Sequence, residues 1–593
     1  MSTPALALPL PAAAAPRLLR CRHTFRSFDG TTLCYRAWHL GAPAARAVVL
    51  FHGGHEHSGR FDELARALVG AERSVYAWDA RGHGRSPGAR GGASHFMDYV
   101  RDADCFVRHL DDAHGVHTKD IAVVAHSVGS VVVATWLHDY APPVRAAVLG
   151  SPAFEVKLYA PFAVPALALW QRIRPEAVVR SYVRPGMLTH DAEEAEVRRH
   201  DPLISPDIGV RVLTSLFATS ARVIAGANSI GVPTLVLCAG SDWVVRQRAQ
   251  QRFFSRLGAT VKQFVTLPGF YHEVFHEAGR VEPIAHAKRF IDECFAARPR
   301  AAAVAPTHDD DRYASLLRPS PWWSPKRHGY AAVRGLMGTV GRLSDGVRRG
   351  LQVGFDAGWT LDYVYENRAR GRTALGRLVD RVYLDAAGWR GIRERAANLR
   401  RLLAAQVRAR LAAGGEVHVL DVAAGPGRYL QDLVVEIDDP RLVVTCRDFD
   451  PDPVATGRRL AVARGLWGMR YETGDAFDPG SLRTLVTRPD IAVVAGLYEL
   501  FADDDAVLRS LRGLHDVLRD DGVLLYTNQP HHPQREFIAR VLRNRDGAPW
   551  VMRLRSQAEM NALARAAGFE PAQMAIDDHG IFCVTVAVKR ARA

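Results

Sequence analysis

Short apolar runs and amphipathic stretches alternate twice along the chain, with an irregular segment between the two series. In the first series, Ala47–Phe51, Ser74–Trp78, Ile121–Ala125, Ala146–Leu149 and Thr234–Cys238 are nearly continuous apolar, β-prone runs. They lead into H-G-G, D-A-R-G-H-G-R-S, H-S-V-G, G-S-P and A-G-S-D. Stretches of helical periodicity fill the intervals. Runs apolar on both faces with helices between them predict a parallel sheet covered on both sides. The alternation restarts at Val417–Asp421 and Leu442–Cys446, then passes through G-D-A-F, I-A-V-V-A-G-L-Y-E-L-F and G-V-L-L-Y-T-N-Q-P-H-H-P-Q. The expected fold class is α/β in both halves.

Between the two series, Ala296 to Lys326 reads A-A-R-P-R-A-A-A-V-A-P-T-H-D-D-D and then P-S-P-W-W-S-P-K. Proline, alanine and charge runs predict a linker over 297–329 with no packed core of its own. Trp322 and Trp323 either dock that linker onto a domain or touch a membrane interface. Helical periodicity from Arg334 to Leu411 predicts a helical extension, about 330–412, ahead of the second sheet. A chain of 593 residues is in any case too long for one core.

Composition adds compartment and partner expectations. Hydrophobic content of 48% and charged content of 24% are ordinary globular values. Seven cysteines, scattered and never in a C-x-x-C pair, argue for a reducing compartment and against a disulfide framework or structural zinc. The N-terminal A-L-A-L-P-L-P-A-A-A-A-P is interrupted by prolines and preceded by no basic residue. It is a poor match to a signal peptide, and a disordered tail over 1–21 of a cytoplasmic protein is expected. The net charge of +14 is concentrated between Arg298 and Arg410, with roughly twice as many basic as acidic residues. That excess either seats the protein peripherally on the anionic inner membrane face, attracts acidic substrates, or dresses solvated helices. No aromatic-interleaved strand motif or recognition helix accompanies it, so nucleic acid is not an expected partner.

Candidate chemistry begins at A-H-S-V-G. Strand, sharp turn, nucleophile and helix lift a serine hydroxyl, here Ser127, above a sheet. Gly129 fits the pattern, and Ala125 stands where glycine is usual. Serine needs a base to take its proton and a carboxylate to orient that base. In this fold the chain order is serine, acid, histidine, and Asp242 and His272 both follow predicted strand ends. Asp207 and His276 are their rivals. The backbone amides of Gly54 and Val128 are the expected oxyanion hole. His55, Glu56 and His57 carry metal-type donors, but no further ligand set has metal-like spacing, and no metal is expected.

H-G-G-H-E-H-S-G-R-F, D-A-R-G-H-G-R-S-P-G-A-R-G, A-H-S-V-G, L-T-H-D followed by D-P-L-I, and P-G-F-Y-H-E together resemble the monoacylglycerol lipase and lysophospholipase branch of the α/β-hydrolases. The resemblance spans about 22–296. It implies a serine esterase of lipid-like monoesters with Ser127, Asp242 and His272 as triad and a helical cap over about 154–228. The early cap, L-Y-A-P-F-A-V-P-A-L-A-L-W, either guides an acyl chain or packs on the domain body.

In the second half, V-L-D-V-A-A-G-P-G-R-Y combines a strand with a turn at Gly425 and Gly427 that lets a ligand approach backbone closely. Asp448 follows about twenty residues later, where a carboxylate can accept hydrogen bonds from ribose hydroxyls. Asp475, in G-D-A-F, is placed to meet an adenine edge. The turn, with Asp421 ahead of it, resembles class I S-adenosylmethionine methyltransferases rather than nicotinamide dehydrogenases. T-L-D-Y-V-Y-E-N, Y-L-D-A-A-G-W-R-G-I-R, Y-E-L-F, N-Q-P-H-H-P-Q and W-V-M-R-L-R-S-Q narrow this to a family of bacterial methyltransferases, some fused behind an α/β-hydrolase. That match covers about 330–593. It implies an S-adenosyl-L-methionine cofactor held by Asp421, Ala423, Gly425, Gly427, Asp448, Asp475 and Ala476. Tyr498, Glu499, His531 and His532 follow the fourth and fifth strands, at the edge where ligands bind, and are candidates for the methyl-acceptor site. The expected whole is a bifunctional serine hydrolase and methyltransferase of lipid metabolism. The alternatives are a methyltransferase with a lipid-binding hydrolase module, or a hydrolase with a cofactor-gated scaffold.

Overall fold

The structure, a computed structural model, describes residues 17–160, 162–298, 309–371 and 373–591, without the side chain of Trp359. It divides into two compact units, one drawn from 1–137 and 142–301 and the other chiefly from 302–593.

The N-terminal unit is built on ten strands: β1 (Leu18–Arg26), β2 (Thr32–Leu40), β3 (Arg46–Phe51), β4 (Arg73–Trp78), β5 (Ile121–His126), β6 (Ala146–Gly150), β7 (Val178–Arg180), β8 (Asp207–Gly209), β9 (Thr234–Ala239) and β10 (Lys262–Leu267). Eight of them form one sheet in the order β1-β2-β4-β3-β5-β6-β9-β10, antiparallel at the β1, β2 and β4 end and parallel from β4 onward. The apolar runs read from sequence are its central strands. Val48, Leu50, Val124, Val148 and Leu237 lie in a core sealed from solvent. Residues 18–21, expected in the tail, are instead strand. Leu18 to Cys21 pair with Leu40 to Ala37, because the hairpin partner supplies a ladder for their backbone groups. Residues 1–16 of that tail lie outside the described residues.

The cap contains the helices Ala163–Ile173, Ala192–His200 and Val210–Ala225 and the small β7–β8 pair. Helix Val210–Ala225 buries a full face, including Val212, Leu213, Leu216 and Val223. Helix Ala163–Ile173 buries none of its residues fully. Phe162 is 85% exposed and Ile173 71%.

The C-terminal unit has a seven-stranded sheet of β11 (Val417–Asp421), β12 (Leu442–Asp448), β13 (Met469–Thr473), β14 (Ile491–Val494), β15 (Val523–Asn528), β16 (Phe569–Ile576) and β17 (Cys583–Lys589). Their order is β13-β12-β11-β14-β15-β17-β16, with β17 antiparallel to both neighbours and the rest parallel. Strand order reverses between β11 and β14, and ligands bind open α/β sheets outside such a switch point. Helix Ala387–Ala413 covers one face through Leu399, Leu402, Leu403 and Val407.

The expected linker is only partly one. Helix Asp310–Leu317 begins inside it, and the buried Asp309 carboxylate takes Arg535 and the Leu554 amide, the latter at 2.9 Å. That buried ion pair anchors the segment to the second unit despite its polar composition. Trp322 and Trp323 do not dock; they are 73% and 68% exposed. Residues 299–308 lie outside the described residues. Among the described residues, no helix is long and apolar enough to cross a membrane.

Candidate active sites

Ser127 stands between β5 and helix Val128–Asp139 with φ at 53°, a left-handed conformation that a β-substituted residue rarely adopts. The turn is enforced from both sides. The Ser127 amide donates to the Gly150 carbonyl at 2.8 Å, and a Cβ on Gly129 would meet the His52 oxygen at 2.4 Å. Glycine is therefore required at 129, whereas Ala125 is fully buried and accommodated. His272 Nε2 lies 2.7 Å from Ser127 Oγ, and His272 Nδ1 lies 2.8 Å from Asp242 Oδ2. The other Asp242 oxygen accepts the amides of Val244 and Val245 at 2.7 and 2.9 Å. Burial alone would raise the Asp242 carboxyl, but the facing His272 and those amides hold it below the usual value.

The rivals sit elsewhere. His276 Nε2 faces the Arg60 carbonyl at 2.9 Å, and Asp207 belongs to β8 in the cap. Gly53 packs against the serine, since a Cβ there would lie 3.2 Å from Ser127 Cβ. A Cβ on Gly54 would lie 3.4 Å from Val128 Cγ2, so the two expected oxyanion donors adjoin one another.

The H-E-H side chains each meet a partner from elsewhere in the domain. His55 Nδ1 meets the Ser205 carbonyl at 2.6 Å, His57 Nε2 meets Asp201 at 2.8 Å, and Glu56 takes the Gly53 amide at 3.0 Å and Arg198 at 3.1 Å. Ser205, Asp201 and Arg198 all belong to the cap, so three consecutive side chains tie the oxyanion loop to it. Glu56, Glu273 and His276 bring their donor atoms within 4.8 Å of one another. The Arg198 guanidinium pairs with both carboxylates, with Arg60 3.8 Å from Glu273 and His126 3.6 Å from Glu56. The sequence reading missed Arg198, which lies far from every motif.

In the C-terminal unit, the loops after β11, β12, β13, β14 and β15 surround one cavity of about 2480 Å³. Gly425 and Gly427 have φ of 53° and 65°. A Cβ on Gly427 would lie 2.9 Å from Cys446 Sγ, whereas one on Gly425 would meet nothing within 4 Å. One glycine thus packs the turn down and the other leaves backbone open to the cavity. Asp448 Oδ2 accepts the Gly425 amide at 2.8 Å, and Oδ1 accepts the Asp450 amide at 3.1 Å. A carboxylate retains further acceptor positions for ribose hydroxyls. Ala423, Asp475 and Ala476 line the same cavity. Open backbone at a glycine turn, a strand-end acid and a second acid on the next loop fit a nucleoside-bearing cofactor.

Three expected residues are placed differently. Asp421 is fully buried behind the turn and lines no part of the cavity. Its oxygens take the Ala423 amide at 2.9 Å and the Tyr429 hydroxyl, so it shapes the turn rather than touching a ligand. Tyr498 is 1% exposed and spends its hydroxyl on Ser510 at 2.9 Å, because the short helical turn after β14 rotates it into the core. His531 does not line the cavity, whereas its neighbour His532 does.

Glu499 lines the cavity with a side chain 4% exposed. Its Oε1 lies 3.4 Å from Arg395, a residue of the helical extension that the sequence reading did not single out. His532 Nδ1 accepts the Gln534 amide at 3.1 Å, which leaves the proton of the neutral ring on Nε2. Burial pushes this imidazole down to about 4, with Arg535 and His579 adding to the shift, so it is neutral at pH 7.

Burial pushes the Asp421 carboxyl up to about 7, against the Tyr429 and Ala423 hydrogen bonds and with Asp448 adding to the rise. A raised folded-state value gives stability that is complete below the unfolded value and lost as pH rises through about 7. The loss amounts to roughly 4 kcal/mol between those limits. Asp421→Asn is therefore expected to flatten the decline of the melting temperature between pH 5 and pH 8. Parallel melting curves for parent and variant across that range would refute the assignment.

The folds and sites define two classes in one chain, a lipase-like α/β-hydrolase domain followed by a methyltransferase domain. A family described as "Putative methyltransferase" matches residues 287–589, and one described as "Serine aminopeptidase, S33" matches 42–279. The chain belongs to the first of these families, and it carries the second domain ahead of it. It is 44% identical over 578 residues to "Uncharacterized protein YnbC" of Escherichia coli strain K12, covering 96% of this chain and 98% of that protein. The hydrolase half is 26% identical over 260 residues to the monoacylglycerol lipase of Mycolicibacterium smegmatis, covering 44% of this chain and 92% of that one. Among solved structures, the monoacylglycerol lipase of Paleococcus ferrophilus aligns with 47% of this chain and 99% of its own, at 26% identity and a TM-score of 0.40.

Proposed function

We propose that the chain is a bifunctional enzyme of lipid metabolism, a serine esterase of lipid-like monoesters joined to an S-adenosylmethionine-dependent methyltransferase. The observation that carries the first activity is the continuous relay from Ser127 through His272 to Asp242, at 2.7 and 2.8 Å. In this reading His272 Nε2 takes the serine proton as Oγ attacks the ester carbonyl, and Asp242 holds Nδ1–H and stabilises the imidazolium. The Gly54 and Val128 amides donate to the developing oxyanion. His272 then protonates the departing alcohol, and a water repeats the sequence to release the acid.

Two features support a lipid-like ester. The named lipases are one. The other is the cap, where Phe154, Phe162, Val164, Phe217 and Ile224 line a cavity of about 550 Å³ with Arg246, Arg252 and Arg256 at its edge. Exposed Phe162, Leu169 and Ile173 on the cap suit peripheral contact with an anionic lipid surface.

The second activity rests on the open turn at Gly425 beside Asp448. A bound sulfonium cofactor supplies an electrophilic methyl group. Ala423, Gly425, Asp448, Asp475 and Ala476 would hold it, with Asp421 and Gly427 shaping the turn from behind. Glu499 accepts a proton or hydrogen bond from the methyl acceptor, and His532 Nε2–H donates one to it. Positioning supplies most of the acceleration in such a displacement.

Titration calorimetry of the full chain with S-adenosylmethionine tests this half. Saturable one-to-one binding is expected in the parent, weakened about tenfold or more in Asp448→Ala by the loss of charge-assisted hydrogen bonds. No heat from the parent would rule the reading out.

A further inference from the structure

The C-terminal cavity is much larger than a cofactor and a small acceptor require. Pockets that bury a drug-sized ligand hold about 300–1,000 Å³, whereas this one measures about 2480 Å³. A nucleoside cofactor at the glycine turn falls within the ordinary range, which leaves more than half of the space to the acceptor. That remainder is walled by the helical extension. Met337, Val340, Leu361, Val379, Val382 and Trp389 form one side, with Phe537 and Trp550 contributing from beyond β15.

Two independent features say what such a space takes. At its polar end, Glu499 Oε2 is buried and has no hydrogen-bond partner. A buried carboxylate oxygen without a partner is costly, and a donor on a ligand removes the cost. Elsewhere on its lining, large apolar groups reach solvent. Leu336, Val340, Val353 and Val382 all line the cavity yet are 57%, 41%, 42% and 68% exposed. A small polar acceptor gains nothing from these side chains, whereas a hydrocarbon chain covers them and gains about 25 cal/mol for each Å² of apolar surface removed from water.

We propose that the methyl acceptor is a long-chain amphiphile. Its hydroxyl or amine head meets Glu499 and His532, and its hydrocarbon chain runs along the helical extension through the apolar rim. This rests on the methyltransferase reading above and gives that site its substrate class. It also assigns the extension a task, that of binding the acceptor chain.

The test is photolabelling of the full-length protein with hexadecanol carrying a mid-chain diazirine, followed by peptide mapping. Adducts are expected on peptides from 336–389 and 537–552. They should fall about fivefold or more in Val340→Asp/Val382→Asp, because a charged rim no longer shelters the chain. Adducts on the hydrolase half, which has its own apolar surfaces, should be unchanged and serve as internal control. Both substituted side chains are well exposed, so an unaltered circular dichroism spectrum is expected of the variant. Absence of adducts from those peptides, or equal labelling in the variant, overturns the proposal. Calorimetry with S-adenosylmethionine separates the two failures: binding without chain adducts sinks this inference alone, and no binding sinks the methyltransferase reading with it.

Discussion

Ser127→Ala is expected to lower kcat/KM for hydrolysis of a monoacyl ester by about 10⁴-fold or more. The substitution removes one oxygen and leaves the oxyanion amides in place, so substrate binding should survive and the loss should fall on kcat. The geometry gives a reason to expect the full effect. His272 has Ser127 Oγ on one nitrogen and Asp242 on the other, and among the described residues no other hydroxyl shares that relay. Release of free fatty acid from a monoacylglycerol, compared between parent and variant, checks this. Equal rates in the two proteins would mean that the relay is idle.

The second large effect is on stability. Arg198→Met removes the cation that pairs with both Glu56 and Glu273, which are nearly sealed from solvent, and leaves them the longer contacts to His126 at 3.6 Å and Arg60 at 3.8 Å. Breaking a buried ion pair by removing one partner costs about 3–5 kcal/mol. For a unit of this size that corresponds to a fall of about 6 °C or more in melting temperature. Thermal inactivation of the esterase is the readout, since the cap and the oxyanion loop are what Arg198 joins. Glu273→Gln in the same background should restore part of the loss. A variant as heat-stable as the parent would show that another group carries the charge balance.

The central strands were legible because runs such as Ala47–Phe51 and Ile121–Ala125 are apolar on both faces and lead into turn residues. Ser127, Asp242 and His272 were legible for a related reason, since each follows such a run and the parallel sheet gathers strand ends at one edge. Long-range pairing was not legible. Leu18–Cys21 is short and follows a proline- and alanine-rich stretch, and only its partner in β2 makes it a strand. Asp309 stands in a charge run like any solvated one until Arg535 is brought to it from more than two hundred residues away. Tyr498 and Glu499 are adjacent in sequence, but a single helical turn sends one into the core and the other to the cavity. No pattern in the sequence distinguishes His531 from His532. Arg198 and Arg395 went unnoticed for a similar reason, because an arginine on an amphipathic helix reads as solvated until its carboxylate partner is known.

Asp421 carries the same lesson for the glycine turn. Its position at a strand end marks it as a ligand contact, yet burial and the Tyr429 hydroxyl turn it into a support for the loop. The direct work at the cofactor then falls to Asp448 and open backbone, and at the acceptor to Glu499.

The central claim is that one chain holds two working sites, and native mass spectrometry of the full-length protein tests it in a single spectrum. After treatment with a fluorophosphonate and addition of S-adenosylmethionine, the account predicts a species bearing one covalent adduct on Ser127 and one bound cofactor. A parent protein that stays unlabelled, or that takes the label and never retains the cofactor, would contradict it.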